Sequence, residues 1–366
     1  MRNKVTTEES ALYSFKRLYS SYGYTSFKMN RFEEYDLYAN NKNFLISDNV
    51  ITFTDTNGKL LALKPDVTLS IVKNTDPEKA PLQKLFYSEN VYRVASKTHE
   101  YKEIMQVGLE CIGKLDAYAC AEVITLAAKS LELLDSDYVL DLSHMSFATQ
   151  LLQEANIPHS KKAEIMTYIG EKNLHMITAA CRENGVSEEL TGMLVHLASI
   201  YETPDKAFSE LEMLNINEET EKALMELRQL MAALRSSGII EHIRFDFSVI
   251  SDDRYYNGFT FAGYIHGVPR KVLSGGRYDN LMKKFKKDCG AIGFAIYFDA
   301  LEQLLAEKDF NEVDTLILYD GDSDISVLCA QVNELAASGK KVTALRDIPK
   351  GLKYKNLLDL GGNRNG

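Results

Sequence analysis

No run of apolar residues in these 366 positions approaches the length needed to cross a bilayer, which excludes a helical membrane span. The opening MRNKVTTEESALYSF has neither the long apolar segment nor the small-residue cleavage site of a secretory signal, so a cytoplasmic protein is expected. Cysteine is sparse. Cys111, Cys120, Cys181, Cys289 and Cys329 are scattered, with no CxxC pair and no histidine at ligand spacing, so neither a disulfide framework nor a zinc site is expected. They read as small core residues. Positive charge is in deficit: Lys+Arg 42 against Asp+Glu 52 gives a formal net charge of −10, which argues against indiscriminate binding to nucleic acid through a basic footprint. What the chain does have is 45% apolar residues, enough at this length for a substantial core and more than one domain.

Ala11, Leu12, Phe15, Leu18 and Tyr19 recur at helical intervals, predicting an opening amphipathic helix that ends near Gly23. ITFTDTNGKLLAL, residues 51 to 63, alternates around a Thr-Asn-Gly turn and reads as a β-hairpin. Lys84 to Gly113 reads as two strands joined by the polar loop SKTHEY. A helix from Asp116 to Leu134 then packs behind them and a strand Tyr138 to Leu142 follows. From about Ala148 to Gly238 the pattern is helical, which predicts an insertion. Strands are expected again at Ile243 to Val249, Tyr255 to Ile265 and Arg270 to Leu273, and a helix from Ala300 to Glu307. The remainder reads as strand, helix, strand, with one more strand and a tail from Asn356.

Period-two alternation in Lys102 to Ile112 places Met105, Val107, Leu109 and Cys111 on one face, and Gln106, Gly108 and Glu110 on the other. The first set is a core face. The second presents an amide and a carboxylate around a glycine that leaves room for a ligand. In Tyr255 to Ile265 the same period puts Tyr256, Gly258, Thr260 and Ala262 together. On the residues alone, both polar faces could equally meet water or the insertion helices. Ser274-Gly275-Gly276 ahead of a helix start at Tyr278-Asp279 reads as a backbone anion nest, although a tight turn is the commoner reason for Gly-Gly.

Several segments together resemble the histidyl-tRNA synthetase family. RYYNGFTFAGYIHGVPRKVLSGGRYD, from Arg254 to Asp279, is similar to the two-part signature of its histidine pocket. LALKPDVT, from Leu61 to Thr68, resembles its Leu-Arg-Pro-Glu-x-Thr segment. Leu85 to Gly113 resembles class II motif 2, and GAIGFAIYFDALEQLL, from Gly290, resembles motif 3. The resemblance implies an α+β fold: a class II synthetase-like antiparallel sheet flanked by helices over residues 1–308, interrupted by a helical insertion at about 148–238, and a shortened anticodon-binding-like α/β domain over 309–366. It implies a histidine pocket in which Asp66, Thr68 and Gln106 hold the amino-acid backbone, and Glu110, Tyr256 and Tyr278 surround the side chain. Arg93, Gly275 and Gly276 become candidate anion-binding residues, and no cofactor or metal is implied. Dimerisation is expected, although the motif 1 proline falls on Asn30.

Making an aminoacyl-adenylate needs positive groups placed where charge develops on the α-phosphate. Of the family's arginines, the motif 2 residue is matched by Arg93, but the catalytic arginine falls on Ser251, the motif 3 arginine on Ala300, and the adenine-gripping position near Glu100. Arg254 does not substitute, because three residues of extended chain move a side chain about 10 Å and to the opposite face. A histidine pocket stripped of activation chemistry resembles the regulatory subunits of ATP phosphoribosyltransferase. In that family the chain assembles with a short catalytic subunit, is required for its activity, and confers feedback inhibition by L-histidine. A divergent histidyl-tRNA synthetase and a standalone histidine-binding scaffold are the alternatives; tRNA binding is not expected. None of the seven histidines is expected to form a catalytic set.

Overall fold

The computed structural model describes residues 8–41, 50–77, 80–94, 100–249, 256–301 and 313–361. The chain divides into two compact units, Met1–Leu305 and Ala306–Gly366.

The larger unit opens with α1 (Glu8–Ser21), which buries Ala11, Phe15 and Tyr19 as its spacing predicts. β1 (Thr25–Ser26), β2 (Phe32–Glu34) and α2 (Tyr35–Ala39) follow. The hairpin forms as β3 (Thr52–Thr54) and β4 (Leu60–Leu63), with the Asp55 carboxylate accepting the Asn57 and Lys59 amides at 2.8 Å to fold the turn. Next come α3 (Thr68–Asn74), β5 (Leu82–Val94), β6 (Tyr101–Gly113), α4 (Ala117–Leu134) and β7 (Tyr138–His144). Asp116 caps α4 by accepting the Ala119 amide at 2.8 Å. The expected strand pair, helix and strand are therefore present; the loop at 95–99 lies outside the described residues.

The insertion is built of α5 (Met145–Glu154), α6 (His159–Gly170), α7 (Leu174–Glu183), α8 (Glu188–Ser199), α9 (Pro204–Met213) and α10 (Glu218–Ser236). It is not wholly helical: β8 (Tyr201–Glu202) pairs antiparallel with β9 (Ile243–Asp246) and extends the main sheet. β9 is shorter than its hydrophobic pattern suggests. Asp246 Oδ1 accepts the Ser248 amide at 2.8 Å and turns the chain into a 3-10 segment, Phe247–Val249. β10 (Phe259–Ile265), β11 (Leu273–Arg277), α11 (Asp279–Lys284) and β12 (Gly290–Tyr297) complete the unit. Tyr256 precedes β10 instead of lying in it, and Tyr255 is outside the described residues. Phe298–Ala300 form a 3-10 turn, and the helix expected from Ala300 to Glu307 lies outside the described residues beyond Leu301.

The main sheet runs β1-β5-β6-β12-β11-β10-β7-β9-β8, antiparallel except for β1 beside β5 and β7 beside β9. The mixed fold with its large helix-flanked sheet is the class II architecture that the resemblance implies. One face carries Leu109, Phe294, Phe261 and Leu142 in a row across β6, β12, β10 and β7, and forms the core with α1 and α4.

Gly275 stands in that row too, and this corrects the nest reading. Gly275 pairs with Phe261 and Phe294, and Gly276 with Thr260 and Gly293, so their amides belong to a central strand's ladders and are not offered to an anion. Glycine is needed for close packing. A Cβ on Gly275 would fall 2.5 Å from Phe294 Cβ, 2.6 Å from Phe261 Cε2 and 2.4 Å from Gly293 O.

The smaller unit is a parallel sheet β14-β13-β15, from β13 (Val313–Leu318), β14 (Val342–Leu345) and β15 (Tyr354–Asp359), with the helix Ile325–Ala337 between its first two strands. Cys329 departs from the expectation of buried cysteines. Its helix buries only Leu328, which leaves Cys329 exposed; Cys289 is half-buried, and Cys111, Cys120 and Cys181 are buried.

Because the Gly275 contacts are backbone and pinned core rings, Gly275→Ala should destabilise the larger unit by about 1–3 kcal/mol. Urea unfolding checks this, and an unchanged midpoint would show that the strand relaxes around the methyl group.

Candidate functional site

The opposite face of the same strands carries a different set. Glu110, Gly293, Gly276 and Thr260 are direct partners across β6, β12, β11 and β10; one step along lie Gly108, Ala295, Ser274 and Ala262. Two rows of small residues make a shallow floor on which longer side chains lie flat. A Cβ on Gly293 would fall 1.7 Å from Glu110 Oε2, one on Gly276 2.5 Å from the Tyr256 ring, and one on Gly108 2.5 Å from the Tyr87 hydroxyl. The space at Gly108 is thus taken by Tyr87, not left open for a ligand as its alternation suggests.

The turn from β4 into α3 roofs the Glu110 end. Thr68 Oγ1 donates to Glu110 Oε1 at 2.9 Å, and the Tyr278 hydroxyl donates to Oε2. Asp66 Oδ1 accepts the Leu69 amide at 2.9 Å, so this carboxylate helps to start α3, and its charge reaches Glu110. Glu110 is 2% exposed. Burial pushes its carboxyl up to about 8, against the two hydroxyl donors, and the nearby Asp66 charge adds to the rise. Burial also raises Asp66, opposed by the Leu69 amide and the Arg93 charge.

At the other end, Gln106 is 2% exposed and its Nε2 has no hydrogen-bond partner. Arg93 donates from Nε to Pro65 O at 3.1 Å, while its buried Nη2 is also without a partner. Buried donors are normally satisfied, and among the described residues neither of these two has an acceptor, so the recess has donors free for a ligand. Beside them the buried Lys64 is paired with Glu89.

The second half of the signature loop positions aromatic groups. Asp279 accepts Arg277 Nε at 2.9 Å and the Ala291 amide at 3.0 Å, and its own amide donates to Asn257 Oδ1 at 2.7 Å. This clamp ties the segments that carry Tyr256 and Tyr278 to the sheet. Asp66, Thr68, Gln106, Glu110, Tyr256, Tyr278 and Arg93 are therefore brought to one face, whereas Gly275 belongs to the core and Gly276 to the floor. Thr68 bonds the Glu110 carboxyl and so stands with the group expected around a side chain.

Tyr87 and Tyr297 escape the sequence reading. Both obey the same two-residue period on β5 and β12, which would have found them had it been applied there. Tyr297 shares a 2.7 Å hydrogen bond with Ser274 Oγ. Among the described residues, no group of His, Cys, Asp or Glu could hold a metal ion. His144 caps α5 and contacts Glu226 at 3.3 Å, a structural role. Chemically, the recess offers a carboxyl end for a ring N–H or an ammonium group, and a donor end for a carboxylate.

Residues 2–301 match the family model described as histidyl-tRNA synthetase. Curated proteins named ATP phosphoribosyltransferase regulatory subunit are similar over most of the chain. The one from Oceanobacillus iheyensis is 25% identical over 94% of this chain and 86% of its own length, and the one from Clostridium kluyveri is 30% identical over 83% and 81%. A solved structure of an ATP phosphoribosyltransferase regulatory subunit/histidyl-tRNA synthetase from Bacillus halodurans matches with a TM-score of 0.78 at 25% identity, covering 96% of this chain and 93% of that one.

Glu110 makes the unliganded protein pH-sensitive. Its folded carboxyl titrates near 8, far above the ordinary glutamate value of 4.5, so from about pH 5 to 8 the folded state holds a proton that the unfolded state releases. Stability contributed by that proton is present at low pH and lost as pH rises through this window. Glu110→Gln should make this part of a plot of unfolding free energy against pH shallower, the remaining slope below about pH 7 belonging to Asp141, whose carboxyl burial raises to about 7. An unchanged slope in the variant would assign the titration to another group.

Proposed function

The chain belongs to the histidyl-tRNA synthetase family, and within it to the ATP phosphoribosyltransferase regulatory subunits; from that premise we propose that it is the non-catalytic, histidine-sensing partner of a short-form catalytic subunit of ATP phosphoribosyltransferase. It is required for that subunit's activity, and it lowers that activity when L-histidine binds. It acts in the cytoplasm as a homodimer within a hetero-oligomer.

The observation that carries this reading is the buried Glu110 carboxyl, held by Thr68 and Tyr278, in one recess with the unsatisfied Gln106 amide. Histidine suits both ends. Its ring N–H suits the Glu110 carboxyl, its carboxylate suits Gln106 Nε2 and Arg93 Nη2, and its ammonium suits the buried Asp66. Binding such a zwitterion stabilises the charged forms of Glu110 and Asp66, which burial disfavours in the empty pocket.

Arg93 keeps the motif 2 charge, but among the described residues the other positions compared supply no positive group. Ala300 is buried in the main hydrophobic core and Glu100 is exposed and acidic; Ser251 and Arg254 lie outside the described residues. Losing one preorganised charge contact commonly costs about a hundredfold or more in rate. Histidine therefore acts by occupancy: it changes the partner's activity only if the complex has two states that bind it unequally.

The direct test is the ATP phosphoribosyltransferase rate of a cognate short catalytic subunit, with and without this chain, across a histidine titration. Activity should appear with the chain and fall with histidine. Glu110→Ala should preserve activation and shift inhibition to at least about tenfold higher histidine, the cost of one lost charged hydrogen bond. A rate indifferent to the chain would refute the regulatory assignment. Robust histidine-dependent ATP–pyrophosphate exchange by the pure chain would mark it as a synthetase.

A further inference from the structure

We propose that Tyr297 sets the length of the ligand, admitting a free amino acid and excluding one whose carboxyl carbon is joined to a further group such as a nucleotide phosphate. The proposal rests on reading the recess as a histidine site. Along β12 the floor positions are Ala291, Gly293 and Ala295, all small, and the next on that face is Tyr297. Its hydroxyl bonds Ser274 Oγ on the neighbouring strand at 2.7 Å, which holds the ring across the floor. Gln106 is the direct partner of Tyr297 between β6 and β12. Directly opposed side chains start about 4.5–5.5 Å apart at Cβ, so an acceptor that satisfies the buried Gln106 amide lies against the Tyr297 side chain.

Glu110 and Gln106 are four residues apart on β6, a span of about 13 Å, and Tyr87 covers Gly108 between them, so a histidine that reaches from one to the other lies over the Tyr87 ring. A ligand with its ring at Glu110 therefore ends at Gln106, and any substituent beyond its carboxylate meets Tyr297. The Arg93, Asp66 and Asp299 charges all act on the Tyr297 hydroxyl, so this tyrosine stands within electrostatic range of the charged groups of the recess. Loss of arginines removes charge from the transition state of adenylate formation; a fixed aromatic ring would remove the volume as well, and it is the ring that the Tyr297→Ala variant isolates.

The test is calorimetric titration of the full chain and its Tyr297→Ala and Tyr297→Phe variants with two probes: L-histidine and 5′-O-(N-L-histidylsulfamoyl)adenosine, a non-hydrolysable carboxyl-extended form. The wild-type chain should prefer free histidine by at least about a hundredfold, Tyr297→Ala should narrow that ratio at least about tenfold, and Tyr297→Phe, which keeps the ring, should hold most of it. Equal binding of both probes by the wild-type chain, or an unchanged ratio in a folded Tyr297→Ala variant, overturns the role of Tyr297 and leaves the histidine site standing. Failure of all three proteins to bind L-histidine overturns the site itself, and this proposal with it.

Discussion

A carboxyl group with 2% exposure must be satisfied on both oxygens, and in this chain that requirement falls on Glu110. Thr68 and Tyr278 meet it, one from the start of α3 and the other from the head of α11. The glycine opposite, Gly293, makes room for it, since a Cβ there would overlap the carboxylate itself. Three segments distant in sequence are thus fixed to one atom pair. The Asp279 clamp, which ties Asn257, Arg277 and Ala291 together, keeps Tyr278 aimed at that carboxyl. The functional face depends on this arrangement more than on any apolar contact, while the reverse face of the same strands supplies the stability.

The two faces explain why glycine is concentrated here. On β11, Gly275 admits Phe294 and Phe261 on the core side and Gly276 admits the Tyr256 ring on the other. A pair that reads locally as a turn or phosphate nest is a strand squeezed from both sides. Local composition could not distinguish the two, because the deciding contacts come from β10, β12 and the segment before β10.

Much of the rest was legible. Alternation in Lys102 to Ile112 separated Leu109 from Glu110 correctly, since one face of a packed sheet must be apolar. The hairpin, the capped α4 and the strand-helix-strand order of the smaller unit also follow from turn chemistry and periodicity. Three features were not legible. β8 is two residues long, below the reach of any pattern, and exists only because β9 offers it an edge. β9 stops where Asp246 captures the Ser248 amide, a side-chain bond that hydrophobic spacing does not encode. Finally, Gly108 gave no sign that Tyr87 lies across it; that is a cross-strand contact, visible only in the β5–β6 register.

The proposed histidine site sets its ligand's charges against groups that burial leaves uncomfortable when it is empty: a raised Glu110, a raised Asp66, and donors on Gln106 and Arg93 that lack acceptors among the described residues. The most direct measurement is a crystal structure of the chain with L-histidine. The account predicts the imidazole N–H on the Glu110 carboxylate and the amino-acid carboxylate within hydrogen-bonding distance of Gln106 Nε2. Histidine bound elsewhere, with the Gln106 amide still unpartnered, would contradict it.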